Sequence, residues 1–195
     1  MSKAKLTRLL QEIRACDICA EHLPHGTRPV MAAGRGARIA LIGQAPGRRV
    51  HESGVPWKDP SGERLRDWLG VTNEEFYDPE LFAILPMGFC YPGTGRSGDL
   101  PPRPECAPTW HDRVLDLLPG IQLYLLIGQY AQKAYLKKPA GNLTETVREF
   151  KKHGPDRFPL PHPSPRNGIW LRKNPWFEAE VLPALRRRVK RLMKS

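Results

Sequence analysis

Residues 38–57 read RIALIGQAPGRRVHESGVPW. The run Ile39-Ala40-Leu41-Ile42 is apolar throughout and stops at Gly43. A short continuous apolar run bounded by glycine predicts a strand buried on both faces, as in a parallel sheet. Gly43-Gln44-Ala45-Pro46-Gly47 then forms a loop at the strand's carboxyl end. In open α/β sheets ligands bind in the crevice at that end. The loop returns through Gly54-Val55-Pro56-Trp57 and brings an aromatic ring to the crevice.

On either side of this stretch, strands and helices alternate. Strands are expected at 81–85, 122–127 and 157–160. Helices are expected at 4–15, with Leu6, Leu9, Leu10 and Ile13 at helical spacing, and from Ser61-Gly62-Glu63 to Gly70. Further helices are expected near 109–118 and 129–136, from Asn142, which caps with Glu145, to about Lys152, and from Asn174-Pro175 toward Met193 with a kink at Pro183. Strands separated by helices imply parallel βαβ units. The expected fold is a three-layer α/β/α sandwich with a central four-stranded parallel sheet, built as one domain over residues 1–195. The loops 43–47 and 161–167 each follow a strand, so both reach the same sheet edge and can face each other across one cleft. Residues 20–37 and 88–108 read as loops, the second long enough to be functional or pinned.

The chain has 195 residues, a size that allows a substantial core. Its 31 Lys and Arg against 20 Asp and Glu leave a net charge of +11, which favours a polyanionic partner, nucleic acid first. The basic run Arg186-Arg187-Arg188-Val189-Lys190-Arg191 can touch DNA, or can simply suit a helix C-terminus and a solvated face. No apolar run approaches the ~20 residues needed to span a bilayer, and the N-terminus has no signal-peptide core. A cytoplasmic protein with reduced or metal-bound cysteines is expected.

Those cysteines are Cys16, Cys19, Cys90 and Cys106. The first two form a C-x2-C pair suited to one metal centre. The second pair is spaced widely within the 88–108 loop. Zinc ribbons more often bring two short-spaced pairs, so a [4Fe–4S] cluster fits better, with zinc the alternative.

These residues together resemble the uracil-DNA glycosylase superfamily, in particular its iron–sulfur branch. The first motif of that branch stands here as Gly43-Gln44-Ala45-Pro46-Gly47, and its stacking aromatic as Trp57 after Gly54-Val55-Pro56. The second motif stands as His162-Pro163-Ser164-Pro165-Arg166-Asn167, close to the single-strand-selective glycosylase pattern. The four cysteines match in order and spacing. The likeness runs over roughly residues 6–192.

The resemblance implies excision of a damaged base that is flipped out of the DNA stack. Trp57 would stack on the base, and His162 would donate a hydrogen bond to its oxygen as charge builds there. Gly43, Gln44, Ala45 and Met87 would line the base pocket. Ser164, Arg166 and Asn167 would hold the DNA backbone. Residues 166–172, with Ile169, Trp170 and Leu171, would wedge into the vacated stack, the alternative for Trp170 and Leu171 being simple packing of the last helix. The cysteines would hold a [4Fe–4S] cluster that shapes the DNA-facing loop, and the protein would be a monomer.

Two departures stand out. The first motif has no carboxylate, since Gln44 and Ala45 occupy it; His51, Glu52 or Asp59 could position water instead, His51 and Glu52 being preferred. Where the family reads uracil with an asparagine, Pro86 stands, followed by Met87 and Gly88. A different base, or readout through the backbone, is therefore open. So is a non-catalytic binder of damaged or single-stranded DNA on the same fold. A zinc-stabilised interaction protein is a third alternative.

Overall fold

A computed structural model describes residues 3–96 and 98–194. Helix α1, Lys3–Arg14, buries Leu6, Leu9, Leu10 and Ile13 as its spacing requires. Strand β1, Ile39–Ile42, is fully buried and leads into helix α2, Arg48–Ser53. Helix α3, Pro60–Leu69, begins with Asp59 accepting the Gly62 N–H and ends at Gly70 in the left-handed conformation. A capping box of Thr72 and Glu75 starts the short helix α4, Asn73–Tyr77. Strand β2, Phe82–Ile84, follows.

Strands β3, Thr94–Gly95, and β4, Gly98–Asp99, pair antiparallel as a small hairpin. Helix α5, Cys106–Leu115, strand β5, Leu123–Ile127, and helix α6, Gln129–Tyr135, come next. Helix α7, Leu143–Arg148, is capped by Asn142, and strand β6, Arg157–Leu160, completes the sheet. Helix α8, Gly168–Lys173, precedes a π-helical segment, Phe177–Val181, which runs into helix α9, Leu182–Lys194.

The expected architecture is present. Four parallel strands lie in the order β2-β1-β5-β6, with β1 flanked by both β2 and β5. Side chains alternate across the sheet. Ile39, Leu41, Leu123, Leu125 and Ile127 enter one core with Trp68, Phe177 and Leu185, under α3 and α9. Ala40, Ile42 and Leu126 enter the other with Leu9, Trp110 and Ala131, under α1, α5 and α6. Period-two alternation thus fills both outer layers from one set of strands. Ala32 adds an antiparallel bridge to Ile84 at the sheet edge.

Four local features depart from the sequence reading. Residues 48–53 are helical rather than loop. The 88–108 loop contains the hairpin, and α5 starts at Cys106, three residues before the expected 109. Residues 165–173, where no element was expected, form a 3-10 turn and α8. The bend near Pro183 is a π segment just before it, because proline has no N–H to donate back to Ala179. The Asn174 side chain does not cap that helix. It accepts from the Trp176 indole at 3.1 Å and donates to the Trp170 carbonyl.

The basic end of α9 lies at the amino ends of the strands. Arg38, just before β1, donates to the Leu192 carbonyl, and Arg188 donates to the Gly154 and Pro155 carbonyls before β6. Arg186 closes the end of α3 through the Asp67 and Trp68 carbonyls.

Candidate active site

At the opposite, carboxyl edge of the sheet lies a cavity of about 250 Å³. It sits at the end of β1, where the chain order reverses and an α/β sheet opens a crevice. Both motif loops line it: Gly43 to Gly47 from one, His162, Ser164 and Arg166 from the other. Trp57, Asp59, Ser61, Pro86 and Asp99 complete the polar and aromatic wall.

Trp57 is held in a strained backbone. Its φ is 55°, positive where no other non-glycine among the described residues is. Three contacts fix it. Gly62 approaches so closely that a Cβ there would lie 1.8 Å from the Trp57 carbonyl oxygen. Tyr77 donates to the neighbouring Pro56 carbonyl at 2.9 Å, and Gly43 lets the indole reach the end of β1, its own missing Cβ lying 3.0 Å from the ring. The indole and the His162 imidazole stand 5.7 Å apart, tilted by 31°.

His162 is anchored on a stiff loop. Asn167 donates to its carbonyl at 2.7 Å, and Arg64 donates to the Ser164 carbonyl at 2.9 Å. The Ser164 N–H points at His162 Nδ1, 3.2 Å away. With Nδ1 as acceptor, the proton of the neutral ring sits on Nε2, which meets no protein partner among the described residues and is left to the cavity. Burial holds the imidazole below its ordinary pKa, with the Asp59 carboxylate opposing, so the ring is a neutral donor near pH 7.

Gly43, Gln44 and Ala45, expected in the base pocket, line the cavity, and so do Ser164 and Arg166, expected on the DNA backbone. Five candidates do not. His51 and Glu52 fall on α2, whose buried side is Val50; helical rotation turns His51 toward Tyr91 and His25, at ring separations of 5.8 and 6.2 Å. Glu52 pairs instead with Arg48 on the exposed side. Met87 gives its N–H to the Gly43 carbonyl, while alternation sends its side chain to the other core layer, beside Pro102 and Tyr135. Asn167 is occupied with the His162 carbonyl. Trp170 packs on Trp176 and Phe177 and donates its indole N–H to Thr144 at 2.8 Å. Of residues 169–171, only Ile169 projects, 60% exposed, because the short helix α8 presents one face to the core.

Asp99 and Ser61 are cavity residues that sequence reasoning missed. Asp99 reaches the cavity from the hairpin, beside Gly47. The glycine-flanked run Gly93-Thr94-Gly95-Arg96, followed by Gly98-Asp99, was the available sign of a hairpin. At the floor, Pro86 offers its ring, since its carbonyl accepts from His111 Nε2 at 3.0 Å; His111 Nδ1 in turn meets the Tyr135 hydroxyl at 2.6 Å.

The four cysteines, from the end of α1, the end of β2 and the start of α5, line a second, smaller cavity with Pro29, Phe89 and Trp110. Burial pushes the Cys90 thiol up to about 11 and the Cys106 thiol up to about 12, and the neighbouring cysteines add to both rises. Such thiols become thiolates when a cation compensates them. Among the described residues no three His, Cys, Asp or Glu side chains converge as a single metal ion requires.

The chain thus builds a cavity at the carboxyl edge of a four-stranded parallel sheet, with an indole and an imidazole 5.7 Å apart on its wall. A family model described as the Uracil DNA glycosylase superfamily matches residues 32–186, and the chain belongs to that superfamily. At superfamily level this makes it a DNA glycosylase-type hydrolase acting on DNA. Among the described residues, no helix is long and apolar enough to cross a membrane.

Proposed function

We propose that the protein excises a deaminated base from DNA by hydrolysing its N-glycosidic bond. The observation that carries this reading is the meeting of the two loop tips, Trp57 and His162, on one cavity with their rings 5.7 Å apart. A flipped base stacks on the indole, a contact worth about 1–3 kcal/mol. The His162 Nε2–H meets the base oxygen that gains charge as the bond to the sugar breaks. Arg166 and the backbone N–H groups of the 162–167 loop take a phosphate, which fixes register without reading sequence. Ile169, exposed beside this loop, fills the gap left in the stack. With Pro86 in place of an amide, the cavity selects its base by shape and by Gln44 and Ser61 rather than by a side-chain amide at the end of β2.

The test is base release from oligonucleotides carrying uracil, hypoxanthine or xanthine, single- and double-stranded. At least one should yield an abasic site. Tight binding with no release over a day would replace this reading with that of a damage-binding protein.

The same reading gives Cys16, Cys19, Cys90 and Cys106 a [4Fe–4S] cluster, supported by the small cavity that all four line. Bound there, the cluster supplies a cross-link between the N-terminal helix and the 90–106 segment, since hydrolysis needs no electron transfer. Anaerobically purified protein is expected to contain iron and acid-labile sulfide in equal amounts. Stoichiometric zinc with no iron would overturn this assignment.

A further inference from the structure

We propose that Asp99 is the carboxylate that takes the proton from the attacking water, in place of the acidic residue that the first motif lacks. This rests on the glycosylase reading above and names a residue for its second step. The C1′–N bond breaks and its electron pair leaves on the base, whose oxygen meets the His162 Nε2–H. A water oxygen bonds to C1′, and its proton passes to the Asp99 carboxylate.

Position comes first. Asp99 lines the cavity together with Trp57 and His162. Its carboxylate lies against the first motif loop, 3.3 Å from where a Gly47 Cβ would stand. That is the loop in which Gln44 and Ala45 leave no acid. The hairpin that carries it is held from both sides. Gln44 donates its amide to the Leu100 carbonyl at 3.3 Å, and Arg166 lies over Gly98. Asp99 therefore sits between the two motif loops, where a reacting sugar would lie.

Asp99 also lacks a structural occupation. Among the described residues its carboxylate accepts no hydrogen bond, whereas Asp59, the other acid on the cavity, spends Oδ1 on the Gly62 N–H and starts α3. A carboxylate at the rim of a site for a polyanion weakens binding, so its placement there calls for a chemical use. The groups that face it are Arg166 and Asp59. Burial raises its pKa first, Asp59 adds to the rise, and Arg166 opposes it. A raised pKa makes a stronger base. It also means that the folded state favours the protonated acid: that stability is present at low pH and lost as pH rises through the folded value, so ionised Asp99 contributes none near neutrality.

The experiment measures single-turnover release of the base that the wild type excises. Wild type, Asp99→Asn and Asp99→Ala are compared, with DNA affinity and thermal melting read alongside. Asp99→Asn is expected to be slower by about 10²-fold or more, to bind DNA as tightly or more tightly, and to melt no lower at pH 7. Added formate should restore part of the rate of Asp99→Ala, as a small carboxylate can enter an open rim. A rate for Asp99→Asn within about threefold of wild type, or an Asp99→Ala rate indifferent to formate, overturns the assignment and leaves the glycosylase reading intact. A wild type that releases no base removes the glycosylase reading, and this assignment with it. If Asp99→Asn fails to fold, Asp99→Ser takes its place in the same comparison.

Discussion

His162→Ala slows base release by about 10²- to 10³-fold, the loss expected when one preorganised donor to a developing oxyanion is removed. The donor is preorganised because the polar atoms of its own loop are committed. Nδ1 is met by the Ser164 N–H, the carbonyl by Asn167, and the next carbonyls by Arg64. The imidazole thus makes no rearrangement as the bond breaks. The fold should survive the change, since the ring borders an open cavity rather than either core. Acid acts on the same group. Its folded pKa lies below the ordinary value, so its contribution to stability is present above about pH 6.5 and fades as pH falls through the folded value. Protonating Nδ1 then costs the Ser164 N–H its acceptor. Stopped assays of base release across pH 5–8 check both points. An alanine variant within threefold of wild type would remove His162 from the chemistry.

Gly62→Ala is expected to be the most damaging single methyl group in the protein. The added carbon would stand 1.8 Å from the Trp57 carbonyl oxygen, 2.7 Å from its carbon and 2.8 Å from its Cβ. Two of these atoms are backbone, and the residue they belong to already has a left-handed φ of 55°. Nothing there can yield by rotating a side chain, so α3 and the Trp57 turn must separate. A loss of about 3 kcal/mol or more is expected by urea unfolding, with base release abolished. Gly168→Ala is the contrasting case. Gly168 is helical, and the nearest atom to its missing Cβ is Arg172 Nη1 at 3.7 Å. That substitution should be neutral or stabilising by about 0.4–1 kcal/mol. Equal behaviour of the two variants would show that the close packing at Trp57 is not a constraint.

The sheet was legible because parallel strands carry their own signal. Ile39–Ile42 and Leu123–Ile127 are apolar runs that stop at Gly43 and Gly128, and no tertiary contact is needed to recognise them. The two motif loops followed from the strands, and with them Trp57, Gln44 and His162. Short elements were less visible. Helix α2 has six residues, and its only buried side chain is Val50, too little for a period to show. That hidden turn rotated His51 and Glu52 away from the cavity. Asp99 was missed for the same kind of reason: a hairpin of two-residue strands is set by its glycines and by the Gln44 and Arg166 contacts on either side, which connect distant parts of the chain. Trp170 was open to two readings, a wedge into DNA or packing of the last helix. Its neighbourhood in sequence suggests a surface loop, yet Thr144 and Phe177 take it inward.

The most conspicuous positive charge in the sequence is tethered to the wrong end of the molecule for touching a phosphate in the cleft. With Arg38, Gly154 and Pro155 as its moorings, the α9 terminus reaches DNA only as a long-range field, which saline of physiological strength damps within about 8 Å. The steepness with which affinity declines as salt is added should therefore reflect Arg166 and its neighbours at the opening, not the chain's full surplus of eleven.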